Sequence, residues 1–201
     1  MRETIDINTC RAAAERGHVQ AQVLMGWACE HGHGVPRDLS LAASWYRRAA
    51  EQGDALAQGK LGLFYAEGRG VPKDKTRAIE WYQRAADQGL LAAQLALGIM
   101  YTQGRGVPRD HGQAATWLQQ AAERGDPDAQ YMLGLLYAEG RGVTRDYSLA
   151  AYWWQTAGIR YLRTGQPDKA RCCALAITLL APYLPDPSFG NDLFAQITFH
   201  P

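Results

Sequence analysis

The stretch "YAEGRGVPKDKTRAIEWYQRAADQG" runs from Tyr65 to Gly89, and nearly the same string returns from Tyr101 to Gly125 as "YTQGRGVPRDHGQAATWLQQAAERG". Glycines beside basic residues can cradle a phosphate, or they can punctuate a helical repeat. A dinucleotide-binding glycine loop follows a strand and carries a third glycine. "GRGVPK" lacks that third glycine, follows a segment of helical pattern and recurs. A shift of 36 residues aligns Gly26, Gly62, Gly98 and Gly134, and likewise Trp45, Trp81, Trp117 and Trp153. It also aligns Ala21-Gln22 with Ala57-Gln58, Ala93-Gln94 and Ala129-Gln130. Self-similarity at such a period is the mark of a repeat array, and it leaves the nucleotide loop without support.

Each unit reads as two helices. Helix A starts at an N-cap such as Asp54, or Asp126 followed by Pro127, and runs about a dozen residues to Gly68 or Gly140, where glycine takes a left-handed C-cap. Val71-Pro72 stops the helix, because a residue before proline is held extended. Asp38, Asp74, Asp110 and Asp146 are placed to cap helix B, which carries the Trp/Ala pattern. A glycine inside helix A costs about 1 kcal/mol relative to alanine. The recurrence of Gly62 and its copies therefore points to close approach of a neighbouring helix, with Trp81 filling the space beside Ala85-Ala86. Such a pair cannot bury its apolar faces alone, so the units must stack.

The segment "AQGKLGLFYAEGRGVPKDKTRAIEWYQRAADQG" resembles a Sel1-like repeat, a relative of the tetratricopeptide repeat. The LG, GRGVP and WY…AA marks recur over residues 18–161. The resemblance implies an all-α fold, a right-handed α/α superhelical solenoid of helix-turn-helix repeats that serves as a protein-interaction scaffold. It implies no catalytic residues. The domain organisation expected is a half-repeat cap over residues 1–17 and four repeats at 18–53, 54–89, 90–125 and 126–161. A capping helix and proline-rich apolar tail then occupy 162–201. Tyr161 stands where a glycine is due, so helix B of the fourth unit should run on to about Arg163, with a further helix from Pro167 to about Ala181. The tail carries Phe189, Leu193, Phe194, Ile197 and Phe199. It packs over the last helices or is partly disordered, or else it enters a groove of its own or another chain, and the intermolecular version would make oligomers.

Composition narrows the function classes. The chain has 201 residues, 47% hydrophobic and 20% charged, with net charge +1. That is a folded chain with no strong global field toward nucleic acid or an anionic membrane. The start, "MRETIDINTCRAAAERG", has no apolar run of signal length. The cysteines Cys10, Cys29, Cys172 and Cys173 follow no period, which fits reduced thiols and a cytoplasmic setting. Cys172 and Cys173 sit mid-helix, one facing inward and one at the surface. His31-x-His33 is a possible metal pair without a third ligand nearby, so a turn role is expected, and no metal or cofactor. Glu30, Glu67 and Glu139 look like a solvated or capping row broken by Gln103.

Two surfaces remain as candidate sites. By tetratricopeptide geometry the concave wall would use Val23, Gly59, Leu95 and Tyr131 in one row, and Trp27, Leu63, Ile99 and Leu135 in the next. The expected partner-binding residues are Val23, Trp27, Leu63, Leu95, Ile99, Tyr131 and Leu135. A second, basic surface follows the loops through Arg69, Arg105 and Arg141. The function expected is a non-catalytic adaptor, monomeric, that binds another protein or peptide in the groove. An immunity or inhibitor protein is the alternative within the same fold, and a hydrolase or small-ligand-binding protein the alternative outside it.

Overall fold

The computed structural model describes residues 6–186, 189–190, 193, 195 and 197. Phe194 and Phe199 of the apolar tail, and residues 1–5 of the expected cap, lie outside these. Among the described residues there are ten α-helices: α1 (Ile7–Glu15), α2 (Val19–His31), α3 (Leu39–Glu51), α4 (Ala55–Glu67), α5 (Lys75–Asp87), α6 (Leu91–Gln103), α7 (His111–Glu123), α8 (Pro127–Glu139), α9 (Tyr147–Arg163) and α10 (Pro167–Leu180). A short 3-10 turn, Ala181–Tyr183, follows. The chain divides into two compact units, Met1–Ala96 with Arg105–Val107, and Leu97–Gly104 with Pro108–Pro201.

The boundaries of the helices follow from their caps. Asp38, Asp74, Asp110 and Asp146 each accept a hydrogen bond from the backbone three residues on, which satisfies a free N–H at the start of the B helix. Their own amides donate back to the last turn of helix A, at Cys29, Tyr65, Tyr101 and Tyr137. Each A–B loop is thus closed at both ends. Gly68 ends α4 in the left-handed region, at φ +77. The next loop glycine has a different reason. A β-carbon on Gly70 would collide with the Leu39 carbonyl at the start of α3, and one on Gly142 with His111 at the start of α7. The GRG motif therefore lays one loop against the first turn of the preceding B helix.

Inside each unit, buried glutamines tie the helices together. Gln22 donates to the Ala14 carbonyl at 3.1 Å and Gln58 to that of Ala50 at 3.1 Å. Gln94 donates to Ala86 and Gln130 to Ala122. Gln52 and Gln88 donate in turn to Gln22 and Gln58, both at 2.8 Å. These bonds occupy amides and carbonyls that burial would otherwise leave costly. The recurrent Ala-Gln pair is therefore a staple: the alanine lets the helices close and the glutamine crosses between them.

The mid-helix glycines are sockets for side chains. The ring of Tyr46 lies on Gly26, Tyr82 on Gly62, Leu118 on Gly98 and Trp154 on Gly134. The filler is the residue after the aligned tryptophan. Trp81 itself is only half-buried, beneath the Arg84 guanidinium, 4.6 Å from its ring. The expectation that Trp81 fills the space beside Ala85-Ala86 is corrected: the buried aromatic of this turn is Tyr82, which seats on Gly62, and Trp81 stays half-buried. In the second unit, α9 runs to Arg163 and α10 packs against it with Ala170, Cys173, Ala174 and Ile177 inward. Leu193 and Ile197 are buried in the same cluster, and Leu193 sits on Gly158, where the other repeats carry alanine. These two tail residues are buried against their own chain.

Candidate functional site

The A helices are apolar on nearly every side, so their outward stripe is set by which positions escape packing. In the first unit α2 turns out Gln20, Leu24, Trp27 and His31, spaced three or four apart. On α4 the same register holds Leu56, Lys60, Leu63 and Glu67. Leu24 is 41% exposed, Trp27 42% and Leu56 50%. Leu63 and Leu95 are half-buried. Val23, expected on the concave wall, is 8% exposed and belongs to the core. Gly59 in that row is covered by Leu90. The open face is thus turned by one residue from the expected one, and the sequence reading missed Leu24 and Leu56. A usable signal existed: position 60 is lysine where position 24 is leucine, and a position that accepts lysine faces water.

In the second unit Ile99, Tyr131 and Leu135 are half-buried. Tyr131 and Leu135 pack against the α9–α10 cluster, and Trp154 donates its indole N–H to the Tyr131 carbonyl at 3.0 Å. These two positions are partly taken by their own chain. Beside them a cleft of about 220 Å³ is lined by Asp128, Tyr131, Tyr161, Lys169 and Cys172. Asp128 accepts from the Tyr161 hydroxyl at 2.7 Å and from Lys169 at 2.8 Å. Burial works to raise the Asp128 pKa, and the bonds from Lys169 and Tyr161 outweigh it, so its carboxyl lies below the ordinary aspartate value. Tyr161 replaces the glycine that closes the other repeats, and its hydroxyl latches α9 onto the start of α8.

Glu30 is the most consequential departure. In strict register it matches Ala66, Thr102 and Ala138, whereas Glu67, Gln103 and Glu139 match His31. It is therefore not part of a solvated row. It is 4% exposed and accepts from Tyr46 at 2.8 Å, Lys60 at 3.1 Å and Arg69 at 2.9 Å. Burial alone pushes its carboxyl up. The hydrogen bonds from Tyr46 and Lys60 and the charges of Lys60 and Arg69 overcome this and hold it below the usual glutamate range. Burial and the bond to Glu30 push the Tyr46 phenol far up.

This network also changes the basic loop surface. Arg69 is turned onto Glu30 and lies 3.9 Å from Glu67, and Arg141 pairs with Glu139 at 3.0 Å. Arg105 is exposed. Two of the three expected ridge cations are thus neutralised by carboxylates of their own unit. His31 and His33 flank the Trp27 ring, at 4.9 Å and 5.2 Å between centroids. Among the described residues no three His, Cys, Asp or Glu side chains gather as a metal site. The four cysteines are free, Cys172 exposed and Cys173 buried. Among the described residues no helix is long and apolar enough to cross a membrane.

Comparison with known proteins follows this geometry. The Sel1 repeat model matches residues 19–54, 55–90, 91–126 and 127–158. Among solved structures, the chain is 32% identical to a protective antigen present in uropathogenic Escherichia coli strains displaying an SLR fold, with a TM-score of 0.82. That match covers 95% of this chain and 40% of the other, so the chain spans about two fifths of that relative's length. It is 29% identical to a Sel1 repeat protein from Oxalobacter formigenes, with a TM-score of 0.78 over 91% of this chain and 74% of that one. The fold class is the α/α repeat solenoid. None of the curated proteins matches the sequence. Sel1 repeat proteins generally mediate protein–protein interaction and are generally non-catalytic.

Proposed function

We propose a function from the premise that this chain belongs to the Sel1 repeat family: it is a non-catalytic scaffold that holds a segment of a partner protein on the outward stripe of its A helices. The observation that carries this is the exposure of Leu24, Trp27 and Leu56 together on α2 and α4. Isolated exposed apolar residues are ordinary, whereas large exposed apolar side chains in the same register of successive A helices support a docking face. Leu63 and Leu95, half-buried, extend the same apolar character. Burial in its own core removes Val23 from the contact set. In the other unit, described by itself, Ile99 is half-buried and Tyr131 and Leu135 keep only their remaining exposed edges.

The free thiols support a reducing compartment. The burial of Leu193 and Ile197 supports a monomer. Helices α1 and α10 act as caps on the repeats at 18–53 and 126–161. An adaptor and an immunity protein would use the same face and differ in the partner, which for the second is a toxin or enzyme whose activity falls on binding.

The test compares the intact chain with Leu56→Glu, a substitution at an exposed position. Host proteins captured by each are identified by mass spectrometry, and the candidate is purified and titrated. Loss of that purified partner by Leu56→Glu at unchanged melting temperature is the expected result. Equal binding by both chains overturns the assignment of the face.

A further inference from the structure

We propose that the cleft between α8 and α10 is a receptor for a neutral carboxamide, the side chain of an asparagine or glutamine carried by the partner segment; this rests on the scaffold function above and deepens it within the second unit. The cleft lies on the outward stripe of the A helices. By the 36-residue register Asp128 is the copy of Gln20, Leu56 and Ala92, so it stands in the same row as the exposed Leu56. Tyr131 replaces Val23, Gly59 and Leu95, and Tyr161 replaces Gly53, Gly89 and Gly125. The other helix pairs fold without these three side chains. Here they gather with Lys169 and Cys172 of α10 around a volume of about 220 Å³. Pockets for whole small-molecule ligands run from about 300 Å³ upward, so this one is sized for a single side chain.

The polar groups of the cleft select the occupant. Of the five lining residues only Asp128 and Lys169 carry charge, and they are paired at 2.8 Å. An entering anion would meet the Asp128 carboxylate and an entering cation the Lys169 ammonium, whereas a neutral polar group meets neither repulsion. Both bonds that Asp128 accepts, from Tyr161 and from Lys169, end on Oδ1. The bond that latches α9 onto α8 therefore uses one carboxylate oxygen. Among the described residues no group donates to Oδ2, and the Lys169 ammonium, with three N–H, donates to one oxygen. An acceptor and a donor thus stand side by side, each on a half-exposed side chain. A primary carboxamide answers both along one edge, donating an N–H to Oδ2 while its C=O accepts from Lys169. A backbone amide turns its N–H and C=O to opposite sides of the trans peptide and reaches one of the two. A hydroxyl must serve both from a single oxygen. The half-buried Tyr131 ring and the Cys172 thiol give the methylenes of such a side chain an apolar wall.

The experiment is selection of a random peptide library on the immobilised intact chain, followed by titration of the enriched peptide in solution. Enriched sequences should share an asparagine or glutamine at one fixed position. Replacing that peptide residue by leucine, or by the matching acid, should lower affinity at least about tenfold, and neither change touches the fold of the protein. Cys172 reports where the peptide sits. It is the exposed member of the four free cysteines, so bound peptide should slow its reaction with the thiol reagent DTNB. Asp128→Asn puts a donor where Oδ2 accepts, because Lys169 can bond only the carbonyl of the new amide, and it should weaken the peptide. Where Asp128→Asn also lowers the melting temperature, the two altered peptides decide. A consensus without a carboxamide, equal affinity of the leucine or acid peptide, or unchanged Cys172 labelling overturns the proposal. Peptides lost with Leu56→Glu but indifferent to Asp128→Asn overturn it while leaving the scaffold function standing. If no peptide is enriched and no host partner is lost with Leu56→Glu, both fail.

Discussion

Replacing Glu30 by alanine should destabilise the first unit by about 3 kcal/mol, and the reasons can be separated. The Tyr46 hydroxyl is deeply buried and donates to Glu30, so loss of the carboxylate leaves an orphaned donor worth about 1–3 kcal/mol. Lys60 and Arg69 are 29% and 27% exposed at the side chain, so each can turn to water, and the loss of each pair is nearer the surface value of about 0.5–1 kcal/mol. A fully buried pair broken on one side would cost about 3–5 kcal/mol, which bounds the estimate from above. For a chain of this size the change is on the order of a 6–12 °C drop in melting temperature. Glu30→Gln keeps an acceptor for Tyr46 and should lose about half as much.

The decisive assay is a double-mutant cycle by urea denaturation. Glu30→Ala with Lys60→Ala recreates the pair Ala66 and Ala96 that the next copy already uses. The double variant should be more stable than the sum of the single losses by about 1 kcal/mol, the usual scale of coupling between contacting groups. Strict additivity would mean that Glu30 and Lys60 do not interact, and the account of this network would fall. The pH dependence has a definite sign. The folded Glu30 pKa is depressed from the ordinary value of 4.5, so its contribution is complete above pH 4.5 and is lost as pH falls through the lower folded value. The stability gap between the native chain and Glu30→Gln should be flat near neutrality and close only in acid.

Gly62→Ala should destabilise by about 1–3 kcal/mol in urea melts despite alanine's better helix propensity, because the new methyl meets the Tyr82 ring at 2.9 Å. Gln58→Leu should cost about 1–3 kcal/mol by thermal melting, since the Ala50 carbonyl and Gln88 amide lose their partner. Leu193→Ala should cost about 2–5 kcal/mol and lower the melting temperature of the unit containing α10; no change would mean that Leu193 does not seat on Gly158. Tyr82→Ala should destabilise more than Trp81→Ala in urea melts, and the reverse order would mean that Tyr82 does not seat on Gly62.

Much of the fold was legible because its determinants are local. Asp74 caps a helix and Gly68 ends one whatever they pack against, so a 36-residue period of such signals yields helix pairs directly. What was not legible required knowing which of two neighbouring residues faces a partner helix. Trp81 and Tyr82 are both aromatic and adjacent, and only the position of Gly62 across the helix pair decides that Tyr82 seats. Val23 and Leu24 pose the same problem on α2, where an all-round apolar helix has no periodic stripe to read. Glu30 failed differently: set one position out of register it looked like a surface acid, and in register it is a carboxylate where the other copies carry alanine or threonine. In a repeat protein the other copies are an internal control. A charged residue at a position otherwise small and apolar must bring its partners with it, and Lys60, itself a departure from Leu24, Ala96 and Met132, is the partner that came. The same control, applied at Trp27, His31 and His33, finds three departures that need no buried partner, because they meet at the surface with both imidazoles against the indole.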